Sequence, residues 1–236
     1  MGIYAMQKEV RQAKGVLAHG VPLDSIGSYT ILERPLKVPE EHYKECYGVA
    51  VFAEYSMALG VGALRGYGIV VKKLNKGSAD ETWSAPVPFS INGMQVGASV
   101  GIAKTEFIMF LTSPEQVKAF EHDAEIKLTA SVVGSGQNNE MHMAQTTQTE
   151  GMAERIDLSI GGEGPIATGI VYAHARGVML SAALGGSVLH LERQKLLTAY
   201  GNNATAAAVL NGEIGMDAAY SDEDMQVVYR LLNKKK

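Results

Sequence analysis

Residues 48–72, GVAVFAEYSMALGVGALRGYGIVVK, decide the fold class of this chain. Upstream of Gly48 the apolar positions recur at helical spacing. From Gly48 they change: Val49, Val51 and Tyr55, then Ile69, Val70 and Val71, form β-favouring runs punctuated by Gly60, Gly62, Gly66 and Gly68. The stretch therefore predicts two strands with a glycine-rich connection. Further β-favouring runs follow at about 82–89, 94–103, 105–112, 125–133, 140–148, 154–160, 167–174 and 178–192. Twenty-six glycines against seven prolines, without a collagen-like period, fit tight turns and closely packed strands. The expected fold is α+β: a largely antiparallel β core, barrel- or sandwich-like, framed by short helices. Laying residues 51–72 over 171–192 without gaps aligns Val51 with Val171, Phe52 with Tyr172, Leu64 with Leu184 and Gly66 with Gly186, which points to a pseudo-duplicated core.

Outward from this core lie the helices. Met6, Val10, Ala13 and Leu17 share one helical face, with Lys8, Arg11 and Lys14 around the rest, so an amphipathic helix is predicted up to about Gly20. Residues 21–38 read as a loop, and Pro39-Glu40-Glu41 opens a second helix ending near Tyr47. Ser113, Pro114 and Gln116 form a capping box. Two helices close the chain, one from Asn202 or Asn203 to a Gly212 cap, the other from the Ser221-Asp222-Glu223-Asp224 cap with Met225, Val228, Tyr229 and Leu232 inward. The expected organisation is a helix at 1–20 and one α+β domain at 21–236.

With 236 residues, 46% hydrophobic and 19% charged, the chain folds rather than remaining disordered. No apolar run approaches the ~18 residues of a transmembrane helix, no secretory leader opens the sequence, and Cys46 is the single cysteine, so a cytoplasmic protein without disulfides is expected. Net charge is −4, yet residues 1–80 hold ten Lys/Arg against eight Asp/Glu. An anionic partner is expected at that basic end, through Lys8, Arg11 and Lys14 and through Arg65, Lys72, Lys73 and Lys76. Aromatic interleaving suited to nucleic-acid bases is poor, so no nucleic acid is expected. Helix 1 can either dock through Met6, Val10, Ala13 and Leu17 or lie in a headgroup layer, which sets up release from the core on anionic membranes.

Catalytic motifs find no supporting context. Gly60-Val61-Gly62 with Gly66 and Gly68 resembles a dinucleotide loop, but a strand follows where a helix is needed. Gly97-Ala98-Ser99-Val100-Gly101 satisfies G-x-S-x-G, again with strand on both sides, which leaves a serine hydrolase using Ser99, with Asp157, His174 or His190, as the least favoured alternative. The six histidines never adopt a metal-binding spacing, so neither metal nor cofactor is expected. A β-barrel carrier of an apolar small ligand is the other alternative, and it requires a large internal cavity.

Thr82-Trp83-Ser84-Ala85-Pro86, after Gly68-Ile69-Val70-Val71-Lys72, resembles the SYLF domain family. Gly93-Met94-Gln95-Val96-Gly97, Thr105-Glu106-Phe107, Arg176-Gly177, Gly186-Ser187, Glu192-Arg193 and Tyr200-Gly201 follow in the family's order. The likeness covers about residues 1–213. It implies a non-enzymatic module for anionic phospholipids, notably phosphoinositides, at endosomal or plasma membranes, linking membrane to actin filaments in endocytosis. This chain looks like a stand-alone member, with lipid contacts at Lys8, Arg11, Lys14 and Leu17 and at Lys72 and Lys73. It departs from the family at Ala63-Leu64-Arg65-Gly66-Tyr67-Gly68, where the arginine is displaced by one position and a serine is replaced, and at Leu197-Thr198-Ala199-Tyr200-Gly201, where a basic residue is lost.

Overall fold

The computed structural model describes residues 2–19, 38–122, 126–131, 144–145, 152–160 and 167–233. The loop expected at 21–38 lies outside these except for Val38, and so do residues 134–139, expected as a loop between two strands. A 3-10 turn (Ile3–Met6) leads into α1 (Gln7–His19); α2 (Glu40–Glu45) precedes β1 (Gly48–Leu74), β2 (Thr82–Trp83) and β3 (Val87–Leu111). Then come α3 (Pro114–Ala119), β4 (Ile126–Ser131), β5 (Ala144–Gln145), β6 (Met152–Ile160) and β7 (Ala167–Leu191), followed by α4 (Arg193–Tyr200), α5 (Ala206–Leu210), α6 (Met216–Tyr220) and α7 (Glu223–Asn233). The seven described strands form one open sheet in the order β2-β1-β3-β7-β4-β6, with β5 beside β7, and every pairing is antiparallel. The α+β class and the antiparallel core are as expected.

The strand boundaries differ. Gly48–Leu74 is one continuous strand, not two, because β3 pairs with it from Gly48↔Leu111 to Val70↔Val87. The runs expected at 94–103 and 105–112 likewise join into β3, and those at 167–174 and 178–192 into β7. The glycines bend the strand without ending it. A Cβ at Gly68 would lie 2.3 Å from the Val51 carbonyl oxygen, and one at Gly66 would lie 2.7 Å from that of Ala53. The two arms of β1 therefore lie against each other, which only glycine permits at these points. β3 and β7 follow the same bend, and the inner arms enclose Phe52, Phe89, Ile91, Ile108 and Phe110. β1 and β7 flank β3, and Ile108 is in register with both Val51 and Tyr172, one residue off the ungapped alignment that sets Val51 beside Val171.

Helices close the core. The capping box is complete: Ser113 Oγ accepts the Gln116 N–H while the Gln116 side chain accepts the Ser113 N–H. Asp222, within the expected Ser221-Asp222-Glu223-Asp224 cap, caps α7 by accepting the Met225 N–H at 2.9 Å, and Met225, Val228, Tyr229 and Leu232 are buried as expected. Helices α4 and α6 have no counterpart among the sequence expectations. The Trp83-Ser84 pair of the family motif ties the C-terminal helices to the sheet. Trp83 Nε1 donates to Asn233 Oδ1 (3.0 Å), Tyr229 Oη donates to the Ser84 carbonyl (2.8 Å), and Ser84 Oγ accepts the Lys72 N–H (2.9 Å).

Candidate functional site

Helix α1 packs on β1 and α7, with Met6, Val10, Ala13 and Leu17 fully buried. Its apolar face is thus committed to the core, at about 1.5–3 kcal/mol per large side chain. Its polar face carries Lys8 and Glu9 against the bend of β1. There an open pocket of about 410 Å³ lies between α1, β1, β3 and α4, lined by Lys8, Glu9, Tyr55, Arg65, Gly66, Tyr67, Ser90, Asn92 and Lys195. This volume lies in the range of small-ligand sites.

Three cations meet here from three elements. Lys8 Nζ sits 3.8 Å above the centre of the Tyr67 ring, and Tyr67 stacks on Tyr55 with centroids 6.0 Å apart. Arg65 is exposed on β1 opposite Asn92 of β3. Lys195 Nζ donates to Glu9 Oε1 at 2.7 Å and lies 3.7 Å from Glu192. Burial pulls the Lys195 ammonium down, but the Glu9 hydrogen bond and charge, with Glu192, hold it above the usual lysine value. Burial and the Tyr55 hydrogen bond raise the Tyr67 hydroxyl, which stays neutral. The second oxygen of Glu9, Oε2, is buried without a hydrogen-bond partner. Such an atom costs free energy unless something supplies a donor. Cations for a phosphate, beside amide and hydroxyl groups for ligand hydroxyls, make the pocket suited to a hydroxylated phosphate ester.

Only Lys8 and Arg65 of the eight expected contacts share this pocket. Arg11 Nε lies 3.1 Å from Asp224 Oδ2 and Lys14 Nζ pairs with the same carboxylate, whose pKa is lowered chiefly by the Lys14 hydrogen bond. Leu17 is core. Lys72, Lys73 and Lys76 sit at the far end of β1. Lys72 Nζ bonds Glu121 Oε1 (3.0 Å), and Lys76 Nζ lies 3.5 Å above the Tyr47 ring and donates to the Glu45 carbonyl. The Lys73 side chain is fully buried, its Nζ donating to the Tyr43 and Lys44 carbonyls (2.7 and 3.0 Å) and pairing with Glu81 (3.3 Å). Glu9, Tyr55, Tyr67, Ser90, Asn92 and Lys195 were not found from the sequence. Glu192 and Lys195, three residues apart where α4 begins, are the signal that was there to read.

Ser99 lies inside continuous β3, in register with Ser181 of β7, where the strand carries three residues against Gly60. No strand-to-helix turn stands there, so the nucleophile elbow is not formed. Among the described residues, no group of three or more His, Cys, Asp or Glu is placed to hold a metal, and no helix is long and apolar enough to cross a membrane.

Fold and site define an α+β protein whose bent three-stranded ribbon presents a cation-lined pocket. The chain belongs to the Ysc84 family, described as Las17-binding protein actin regulators, whose model matches residues 92–235. This is the family to which the SYLF likeness pointed. It is similar to LAS seventeen-binding protein 3 of Saccharomyces cerevisiae (26% identical, covering 89% of this chain and 41% of that protein). It is also similar to an SH3 domain-containing protein of Schizosaccharomyces pombe (25%; 98% and 48%) and to the human SH3 domain-containing YSC84-like protein 1 (24%; 78% and 49%). The chain thus spans about half or less of the length of these relatives. No solved structure matches.

Proposed function

We propose that this chain is a non-enzymatic module that binds anionic phospholipids, phosphoinositides among them, at the cytoplasmic surface of endosomal or plasma membranes and links them to actin. The observation that carries the lipid reading is the convergence of Lys8, Arg65 and Lys195 on one open pocket. A monoester phosphate matches Lys8 and Arg65, with Lys195 behind them on Glu9, and ring hydroxyls match the hydroxyl and amide groups of Tyr55, Ser90 and Asn92. The family description and the names of the relatives favour the actin link. The carrier alternative is less favoured, because the pocket is open and lined by charged side chains, Lys8, Glu9, Arg65 and Lys195, while the core among the described residues is packed with aromatic and branched side chains.

Co-sedimentation with vesicles of phosphatidylcholine, alone or with phosphatidylserine or a phosphoinositide, tests the reading. Binding is expected only with the anionic lipids, weakening as salt is raised, since each cation near the surface contributes about 1 kcal/mol. Equal binding to neutral vesicles contradicts it. Co-sedimentation with actin filaments tests the second link separately.

A further inference from the structure

Along β1 every second residue from Tyr55 to Arg65 is exposed, and five large apolar side chains of the ribbon, Met57, Leu59, Val61, Met94 and Ile102, are 60–84% exposed. Ile102 is in register with Met57 and Met94 with Ala63, so these side chains form one contiguous patch. Single exposed apolar residues are ordinary, whereas a contiguous set marks an interaction surface. The patch lies on the bend, beyond the neck where Tyr55 stacks on Tyr67. At that neck stand Lys8 over Tyr67 and Arg65 on the returning arm, with Lys104, paired to Glu106 at 2.7 Å, 5.8 Å from the Tyr55 ring. Residues 55–65, 92–105 and 175–191, the segments that build the bend, contain Arg65, Lys104 and Arg176 and no Asp or Glu, in a chain of net charge −4.

An apolar tip, then a collar of tyrosine and cations, then a pocket suited to phosphate is the order of chemistries met when passing from the acyl region of a leaflet to its head groups. We infer that Met57, Leu59, Val61, Met94 and Ile102 form a membrane-inserting tip that enters the acyl layer of an anionic leaflet while the pocket beside it takes the head group. This rests on the anionic-lipid reading above and gives it a depth and an orientation. The apolar face of α1 stays in the core, and the ribbon supplies the apolar contact instead. An acidic protein partner would match the cations but not the apolar tip.

The test places a reporter at the tip of the full chain. Trp83 is the only tryptophan and is buried. In Leu59→Trp, brominated acyl chains in phosphatidylcholine–phosphatidylserine vesicles are therefore expected to quench emission that the unsubstituted chain does not lose. Leu59→Asp is expected to weaken co-sedimentation with these vesicles about tenfold or more, the effect of losing one buried apolar side chain, at an unchanged unfolding midpoint. Bound Leu59→Trp that is not quenched overturns the tip and leaves the head-group pocket standing. Quenching as strong on pure phosphatidylcholine keeps the tip and overturns the anionic reading. Failure to bind either vesicle overturns both. A dimer in sedimentation velocity that Leu59→Asp dissociates assigns the patch to a second copy and overturns the tip.

Discussion

Lys73 and Arg65 are cations on the same strand, and they are built into the molecule by opposite rules. Lys73 is fully buried, its ammonium held by two carbonyls and Glu81, so removing it takes a donor from both carbonyls and the counter-charge from Glu81. Arg65 is exposed on the mouth of a pocket that already contains two other cations. In sequence both belong to one acid-free basic stretch, 65–76. The difference teaches that a run of charge is not a surface: the same residue type serves structure where the fold surrounds it with acceptors and recognition where it does not. Helix α1 divides its cations in a milder way, with Arg11 and Lys14 at the surface on Asp224 and Lys8 on the pocket.

The largest effect is expected on the structural side. Leu17→Asp places a carboxylate in the sealed contact of α1 with the core and is expected to cost about 4 kcal/mol or more, lowering the urea midpoint so far that lipid binding is lost through unfolding. A near-normal midpoint would show that α1 detaches readily, as a helix released on membranes requires. Lys73→Ala, which leaves the Tyr43 and Lys44 carbonyls and Glu81 short of a donor, is expected to cost about 3 kcal/mol by the same measurement.

A smaller effect, read through pH, comes from Glu54, on β1 between the two regions. Burial pushes its carboxyl up to about 7, so from about 4.5 to 7 the folded chain holds a proton that the unfolded chain releases. Its contribution to stability is present below the ordinary carboxylate pKa and is lost as pH rises through 7. Glu54→Gln is expected to flatten this fall, seen in thermal melts between pH 5 and 8 as a Tm gain that grows with pH. An unchanged slope would show that solvent reaches Glu54. Arg65→Ala closes the series, with a stability change within about 0.5 kcal/mol.

The elements legible in the sequence were those encoded locally. The capping box at Ser113, the apolar face of α1 and the inward side of α7 each declare themselves within a few residues. What escaped depends on distant chain. The glycines of 60–68 read as breaks, because the sequence does not show that β3 pairs along their whole length or that Gly66 and Gly68 accommodate the backbone of the opposite arm. Helix α4 escaped because it is short and begins one residue after a strand, and Lys195 was missed with it. The pocket escaped for the same reason: Glu9, Arg65, Asn92 and Lys195 come from four elements that only the bend brings together.

The central claim is that the pocket, not the end of β1, recognises anionic head groups. Co-sedimentation of Arg65→Glu with phosphoinositide-containing phosphatidylcholine vesicles, beside the unsubstituted chain at the same salt, tests it most directly. Binding is expected to fall about tenfold or more, as for reversing one charge contact desolvated on binding, with the urea midpoint unchanged. Unchanged binding by a folded Arg65→Glu chain would contradict it.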